Sequence, residues 1–485
     1  MTARSIARIP RKMLRMLQPS ISSLRRQNGV MHVARKRPAY GDGIICGIMQ
    51  EEGQRAKLGS RLGFLMLAAG CAVGLGNVWR FPFVVGQNGG AAFVLVYLLF
   101  LAIMGFPMLT AELALGRAAR QGVSGAMRRL AAERYRRFWS VAGCVIFAGN
   151  FLLMVYYTDV SGWLLNYSGC YLRGEPAPEF GAMLKDIPSS IAYMALSVAI
   201  ATAICAAGVK NGVERATKWM MLALLALLGI LAAKSLSLPG AAKGLEFYLA
   251  PDWSRFTARP WKVVFDAMGQ AFFTLSTGVG CMAIFGSYIG REHSLAKESA
   301  WIIAIDTFVA LLSGLVVFPA CASFGVDVSS GPGLIFIALP KVFASMAGGR
   351  IWGFLFFLFL SLGALTTIVA VFECLIGGLV DELRKPRLRV TAAVGLAVAA
   401  CALPTVLFEP VLKWEDFVFG QFWLPLGALA ICIFVTRRCG WGYENFAAEA
   451  SCGSGMDFPA ACTFMMKWIV PLLIAGTMVA GFVSG

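Results

Sequence analysis

Charged side chains are scarce in this chain of 485 residues. Only 14% of the residues are Asp, Glu, Lys or Arg, whereas 58% are hydrophobic. Soluble domains carry about 25% charged residues, so this chain has too few polar side chains to cover a soluble surface. Its apolar residues are gathered in blocks of about 20, the length that a helix needs to cross the hydrocarbon core. The composition therefore predicts a membrane protein with many spans.

Histidine and closely paired cysteines are also lacking. The chain has two histidines, His32 and His293, and none of its 13 cysteines forms a Cys-x-x-Cys pair. This excludes the common zinc-binding spacings, and the single cysteines in apolar blocks are expected to pack as small hydrophobic residues. A membrane-embedded enzyme would need a nucleophile, an acid–base pair or a metal group, and the apolar blocks contain no such constellation. We therefore expect no enzyme activity.

Acidic residues are the rarer charge, with 26 Asp and Glu against 43 Lys and Arg and a net charge of +17. The basic residues are concentrated in the first 54 residues and in two short connections between apolar blocks, which is typical of cytoplasmic segments rather than of a nucleic-acid-binding face. They are Arg4, Arg8, Arg11, Lys12, Arg15, Arg25, Arg26, Arg35, Lys36 and Arg37, then Arg117, Arg120, Arg128, Arg129, Arg134, Arg136 and Arg137, then Arg384, Lys385, Arg387 and Arg389. We expect the N-terminus to be cytoplasmic and no nucleic-acid partner.

Residues 1–54 are predicted to be a disordered cytoplasmic tail, and residues 55–485 the membrane domain. The tail contains no apolar run long enough for a signal-peptide core, and an internal start at Met49 or a targeting role is left open. Eleven apolar spans are predicted to start near Leu62, Ala91, Ser140, Ser190, Trp219, Val263, Ala300, Trp352, Thr391, Phe417 and Trp468. An odd number places the C-terminus outside, with outer loops at 166–189, 237–262 and 323–350.

Two spans contain glycines near their middle. The first span carries Gly70, Gly74 and Gly76, and the sixth carries Gly278 and Gly280. Each glycine weakens a helix by about 1 kcal/mol relative to alanine, so both segments are predicted to unwind. Unwound backbone at membrane depth is stable only where it lines a cavity or is buried in protein. Close packing of neighbouring helices against the glycines is the alternative left open.

An ordered set of motifs resembles the neurotransmitter:sodium symporter family, and within it the bacterial amino-acid branch typified by the bacterial leucine transporter. The motifs are Arg61-Leu-Gly-Phe, Gly74-Leu-Gly-Asn-Val-Trp-Arg-Phe-Pro82, Gln87-Asn-Gly-Gly90, Glu112-Leu-Ala-Leu-Gly-Arg117, Tyr156-Tyr157, Lys210-Asn-Gly-Val-Glu-Arg215, Gly269-Gln-Ala-Phe-Phe-Thr-Leu-Ser276 and Asp381-Glu-Leu383. The resemblance implies an all-α fold of two inverted five-helix repeats, with helices 1 and 6 broken and an eleventh span added. It also implies sodium-coupled transport across the bacterial inner (plasma) membrane.

The resemblance implies two sodium sites. Site 1 comprises the carbonyl of Ala72 and the side chains of Asn77, Thr274 and Asp306, with the substrate carboxylate as a further ligand. Site 2 comprises the carbonyls of Gly70, Val73 and Gly363 and the hydroxyls of Thr366 and Thr367. Hard oxygen donors suit Na⁺. Adjacent threonines in a span also commonly bond to their own helix backbone, but the family match favours a role as ion ligands.

Asp306 departs from the bacterial leucine transporter, which has asparagine there and an acidic residue one helical turn later, where this chain has Ala310. A carboxylate within a membrane span is a functional-site candidate, with a solvated helix end as the alternative. We expect Asp306 to supply the negative charge that chloride provides in the animal relatives. No chloride requirement is therefore expected.

The resemblance also implies a substrate pocket. It comprises Ala72, Gly74, Leu75, Gly76, Leu153, Tyr157, Phe273, Ser276, Val279, Thr367 and Val371. Amides freed around Leu75 and Gly76, with the Tyr157 hydroxyl, would bind a carboxylate. The remaining lining carries no fixed charge, so an ionised substrate side chain would be buried unpaired. Gly74 stands where the family's amine transporters carry aspartate, which favours an amino acid.

Two charge pairs are implied as gates. Arg80 and Asp416 would close the outer pathway above Phe273, and Arg55 and Asp381 would latch the inner one, with Tyr288 nearby. Exposed ion pairs contribute about 0 to 1 kcal/mol, which suits contacts that break in every transport cycle.

We interpret the chain as a sodium symporter that imports a neutral, hydrophobic or aromatic, amino acid by alternating access. A ligand-binding sensor of the same fold, an amine transporter and a membrane enzyme are the alternatives. The amino acid, the sodium stoichiometry, proton antiport and the oligomeric state are left open.

Overall fold

The computed structural model describes residues 58–326, 328 and 333–484, with side chains up to residue 479. The tail of residues 1–54 and the predicted latch residue Arg55 lie outside the described residues. Within the described part the chain is helical, and its β-structure is limited to two isolated bridges.

The helices that concern the membrane are numbered along the chain. They are α1 Arg61–Ala72, α2 Gly76–Gln87, α3 Ala91–Ala119, α4 Glu133–Arg173, α5 Ile187–Ala206, α6 Val209–Leu236, α7 Pro260–Thr274, α8 Cys281–Gly286, α9 Leu295–Phe324, α10 Leu334–Ser345, α11 Gly349–Leu383, α12 Arg387–Leu407, α13 Glu409–Thr436 and α14 Ala461–Val479. The connections contain the shorter helices Val123–Leu130, Phe180–Lys185, Ala241–Leu249, Trp253–Ala258 and Tyr443–Ala450.

Over the described residues, nine helices are long and apolar enough to cross a membrane, and the pair α1 and α2 forms one further span bent by 56°. The predicted sixth span consists of α7 and α8, which are separated by residues 275–280. Helix α7 has 15 residues and rises about 22 Å, so neither half crosses about 30 Å of hydrocarbon alone. Each of the eleven predicted spans therefore corresponds to one continuous or broken helix.

Several predicted boundaries were wrong by about two helical turns or more. The span expected from Ser140 begins at Glu133, the one from Trp219 begins at Val209, and the one from Phe417 begins at Glu409. Helix α4 also continues to Arg173, into the segment predicted as an outer loop from residue 166. The headgroup regions extend the bilayer to about 40–45 Å, and helices continue there with solvated polar residues. The apolar length therefore underestimates the helix.

Proline explains most of the π-helical turns in the spans. Five such turns, Gly76–Arg80, Leu101–Gly105, Leu334–Ala338, Val418–Trp423 and Met465–Ile469, each end two residues before Pro82, Pro107, Pro340, Pro425 or Pro471. Proline has no N–H to donate, and its ring crowds the carbonyl four residues earlier. The preceding turn widens to i→i+5 hydrogen bonding as a result.

The segments that connect the spans make two sets of contacts. The predicted cytoplasmic segments are joined by Arg128–Glu382 at 2.7 Å and Arg117–Glu449 at 2.7 Å. The predicted outer segments are joined by Asp252 N to Gly89 O at 3.3 Å and by Arg350 Nε to Tyr171 O at 3.0 Å. This division agrees with a chain that alternates between two faces. Which face is cytoplasmic stays a prediction.

The continuous helices surround both broken spans. Helix α1 contacts α6, α9 and α11, and α8 contacts α3 and α11, while α4 and α11 pack along each other. The unwound segments are therefore buried in protein rather than exposed to lipid, as unwound backbone at this depth requires.

Candidate substrate and ion site

The first break follows Ala72, where α1 ends and Val73 adopts an extended conformation (φ −71°, ψ 104°). Side chains bond to backbone groups in and just after the break. Asn77 Oδ1 accepts from Gly74 N at 3.2 Å, and Gln270 Nε2 donates to Gly76 O at 2.9 Å. The break is thus a defined structure held by its own segment and by α7.

The sixth-span break uses left-handed backbone at Ser276, Gly278 and Gly280, with φ values of 49°, 103° and 73°. A Cβ on Gly278 would lie 2.3 Å from the carbonyl oxygen of Leu424, so both its conformation and its neighbour require glycine. Fully buried Glu112 accepts from Gly278 N at 2.5 Å. The predicted unwinding is confirmed in both spans. No role was predicted for Glu112 from the sequence, although a carboxylate in an apolar span is a signal of one.

A cavity lies between the two breaks and helices α4, α11 and α13. It contains about 410 Å³ of space not occupied by atoms, its open part included. Its lining consists of the predicted residues Ala72, Gly74, Leu75, Gly76, Leu153, Tyr157, Phe273, Ser276, Val279 and Thr367, with Cys71, Phe419 and Leu424, which were not predicted. Val371 is buried but is outside this lining. None of the lining residues is charged.

One end of the cavity is polar. The Tyr157 hydroxyl accepts from Leu75 N at 3.3 Å, which leaves its own proton available to a ligand. A Cβ on Gly74 would lie 2.7 Å from Thr367 Oγ1 and 2.9 Å from Tyr157 Oη. A side chain at position 74 would therefore displace both hydroxyls.

The side chains predicted for sodium site 1 form one buried cluster. Asn77 Nδ2 donates to Thr274 Oγ1 at 2.9 Å and to Asp306 Oδ1 at 2.8 Å, and Thr274 Oγ1 donates to Asp306 Oδ2 at 2.9 Å. All three side chains are fully buried. Asp306 thus has two neutral side chains as hydrogen-bond partners in this cluster.

The predicted oxygens of sodium site 2 also converge. Thr367 Oγ1 lies 3.4 Å from Gly70 O, 3.4 Å from Val73 O and 3.2 Å from Gly363 O. A hydroxyl has one proton, so it can serve only one of these three acceptors at a time. Thr366 Oγ1 donates to Gly363 O at 2.9 Å, the ordinary bond of a helical threonine to its own backbone. The excess of acceptors around Thr367 is an environment suited to a cation.

The residues of the predicted outer gate are not directly paired in this conformation. Among the described residues, no ion pair within 4.0 Å joins Arg80 to Asp416, and the Arg80 guanidinium lies instead over the Phe273 ring, 4.4 Å from its centroid. Asp416 and Asp266 are close enough to act on Arg80 electrostatically. The cation–π contact therefore replaces the direct pair in this conformation.

The inner end of α11 holds a buried ion pair that the sequence analysis missed. Tyr288, predicted near the inner latch, donates to Glu373 Oε1 at 2.6 Å, and Arg387 Nη1 donates to the same oxygen at 3.0 Å. Glu373 is fully buried, and its position within an apolar block was the signal that could have found it. Asp381 lies in the last turn of α11 and is half-buried.

Two broken helices around a central cavity, held within a ring of membrane-crossing helices, define a multi-pass membrane transporter. The sequence family described as the sodium:neurotransmitter symporter family matches residues 55–174 and 180–484. The chain belongs to this family, as its motifs predicted.

Two bacterial relatives are named uncharacterized sodium-dependent transporters. The Bacillus subtilis protein YhdH is 33% identical over 86% of this chain and 95% of its own length, and a Haemophilus influenzae protein is 30% identical over 87% and 97%. The solved structure of MhsT in complex with L-phenylalanine is 34% identical, with a TM-score of 0.79, and covers 88% of this chain and 100% of its own. This likeness confirms the predicted fold class.

Proposed function

We propose that the protein is a sodium-coupled symporter that imports a neutral, hydrophobic or aromatic, amino acid by alternating access. The observation that carries the proposal is the polarity of the cavity. The Tyr157 hydroxyl, which accepts from Leu75 N, offers its own proton at one end, while Leu153 and Val279 form an uncharged wall elsewhere. A carboxylate suits the first region, and an ionised side chain would be unpaired in the second.

The relatives support this choice of substrate. MhsT was solved with L-phenylalanine, and a Drosophila melanogaster relative named a serotonin transporter is 30% identical over 82% of this chain. Phenylalanine has a carboxylate, whereas serotonin is an amine without one. The hydroxyls of Tyr157 and Thr367 fill the space beside Gly74, so no acidic side chain is available there for a carboxylate-free amine.

Two sodium ions would bind beside the cavity. Asn77, Thr274 and Asp306, with the Ala72 carbonyl, would hold the first, and the carbonyls of Gly70, Val73 and Gly363 with Thr366 and Thr367 the second. The buried carboxylate of Asp306 would neutralise the first ion, so chloride is not needed. Sodium at site 1 would tie α1 and α2 to α7 and α9, and sodium at site 2 would tie the end of α1 to α11, because the proposed ligands lie on these elements.

Gating would follow from the same elements. Arg80 rests on Phe273, which lines the cavity, so movement of either residue opens or closes the outer path. An Arg80–Asp416 pair would form as the path closes, and an Arg55–Asp381 pair would close the inner one. The membrane would be a bacterial plasma membrane, with the N-terminus inside and the C-terminus outside.

Uptake by purified protein in liposomes tests the proposal. A panel of labelled neutral, acidic and basic amino acids, with tyramine as a carboxylate-free amine, is offered with and without an inward sodium gradient. Sodium-dependent accumulation of leucine- or phenylalanine-sized substrates is expected. Binding without accumulation would identify the sensor alternative, and a preference for lysine, glutamate or tyramine would contradict the assigned pocket.

A further inference from the structure

Helix α13 reaches the cavity through its π-helical turn. Phe419 and Leu424 line the cavity and are almost fully buried. Phe419 lies within the turn Val418–Trp423, and Leu424 follows it immediately before Pro425. Residues five positions apart are separated by about 140° around an α-helix, so they would face different directions. The i→i+5 turn brings such residues onto one face. Because Pro425 widens the preceding turn, Phe419 and Leu424 both face the cavity.

The turn is fixed on two sides. Towards α4, Trp423 Nε1 donates to Val145 O at 2.8 Å, and a Cβ on Gly149 would lie 2.3 Å from the Trp423 ring. Towards the sixth-span break, a Cβ on Gly427 would lie 1.9 Å from Gly278 O. The Trp423 ring therefore packs directly on α4, and the backbone at Gly427 packs directly on the sixth-span break. This wall of the cavity has little freedom to move outward.

We infer that Phe419 and Leu424 set the upper size of the substrate side chain. The inference deepens the proposed function and rests on it, because it adds a wall from α13 to a subsite that the family resemblance assigned to α4, α7, α11 and the sixth-span break. The Phe419 ring also contacts the Tyr156 ring at 6.1 Å between centroids, beside the substrate-facing Tyr157. A large substrate side chain that points at this wall would contact an aromatic ring that is itself packed against Tyr156.

Competition by a graded series of amino acids tests this assignment. Alanine, valine, leucine, phenylalanine and tryptophan compete with a labelled substrate for sodium-dependent binding to detergent-solubilised wild type, Phe419→Ala, Phe419→Trp and Leu424→Ala. The apparent affinity for tryptophan relative to leucine should rise at least about tenfold in Phe419→Ala and Leu424→Ala and fall as much in Phe419→Trp. A change of one methylene in a pocket already produces effects of this size. Phe417→Ala is the matched control, since Phe417 is 40% exposed just before the π turn.

Two further variants keep the test decisive. Phe419→Leu replaces Phe419→Ala if the latter does not fold, and it should shift the ratio in the same direction. Pro425→Ala removes the cause of the π turn and should change the ratio without altering either lining residue. If the ratio is unchanged in Phe419→Trp and in whichever of Phe419→Ala and Phe419→Leu folds, with wild-type binding intact, the inference alone is overturned. Failure of the wild type to bind any neutral amino acid with sodium would overturn the proposed function and this inference with it.

Discussion

Replacing Asp306 by asparagine removes one negative charge from the buried cluster with Asn77 and Thr274. A unit charge at about 4 Å from a cation contributes about 4 kcal/mol at an effective dielectric constant of 20, which is about a thousandfold in affinity. Asparagine retains a ligand oxygen and avoids the cost of burying a carboxylate, so the loss is expected to be smaller. We predict that Asp306→Asn weakens sodium activation at least about tenfold when gluconate is the only anion.

The assay is a sodium titration of labelled amino-acid binding in gluconate and again in chloride. Wild type should give the same curve in both media, whereas chloride should restore part of the sodium affinity of Asp306→Asn. Asp159→Asn is the matched control, because Asp159 is another buried carboxylate of the spans and is not a partner of Asn77 or Thr274 in the cluster. An unaltered sodium curve for Asp306→Asn, or a wild type that loses binding in gluconate, would refute the assigned charge.

Four other variants test the remaining parts of the site. Thr367→Ala and Thr366→Ala should lower sodium affinity more than thermal stability. The larger effect is expected at Thr367, whose hydroxyl lies 3.4 Å from both Gly70 O and Val73 O. Normal sodium curves in both variants would show that these hydroxyls only bond to the helix backbone. Val279→Phe should penalise phenylalanine and tryptophan more than leucine in competition binding, and equal losses for all would count against the subsite. Gly278→Ala should destabilise the protein by about 1–3 kcal/mol or more in thermal unfolding, because its φ is 103° and Leu424 O blocks a Cβ. Gly229→Ala is its control, since a Cβ there meets nothing within 4 Å.

The helix breaks could be predicted from the sequence because their signals are local, whereas most of the cavity was predicted through the family resemblance. Gly74, Gly76, Gly278 and Gly280 lie in short motifs, and ten residues of the predicted pocket line one cavity. The span ends could not be predicted from apolar length, since α4 and α13 each begin with a polar turn ahead of the apolar run.

Contacts made across helices were the main part missed. Phe419 and Leu424 reach the cavity only because Pro425 changes the helical turn before it, and a five-residue spacing alone does not indicate a shared face. The Arg80 contact with Phe273 depends on the conformation of the outer path, which sequence separation does not encode.

Simultaneous flux of radioactive sodium and a labelled neutral amino acid tests the central claim most directly. Liposomes containing the purified protein are given an inward sodium gradient with phenylalanine or leucine present, and each flux is also measured with the other solute omitted. The account predicts that amino-acid accumulation collapses without the gradient and that the amino acid accelerates sodium entry. Amino-acid accumulation that is unchanged when sodium is replaced by potassium would contradict it.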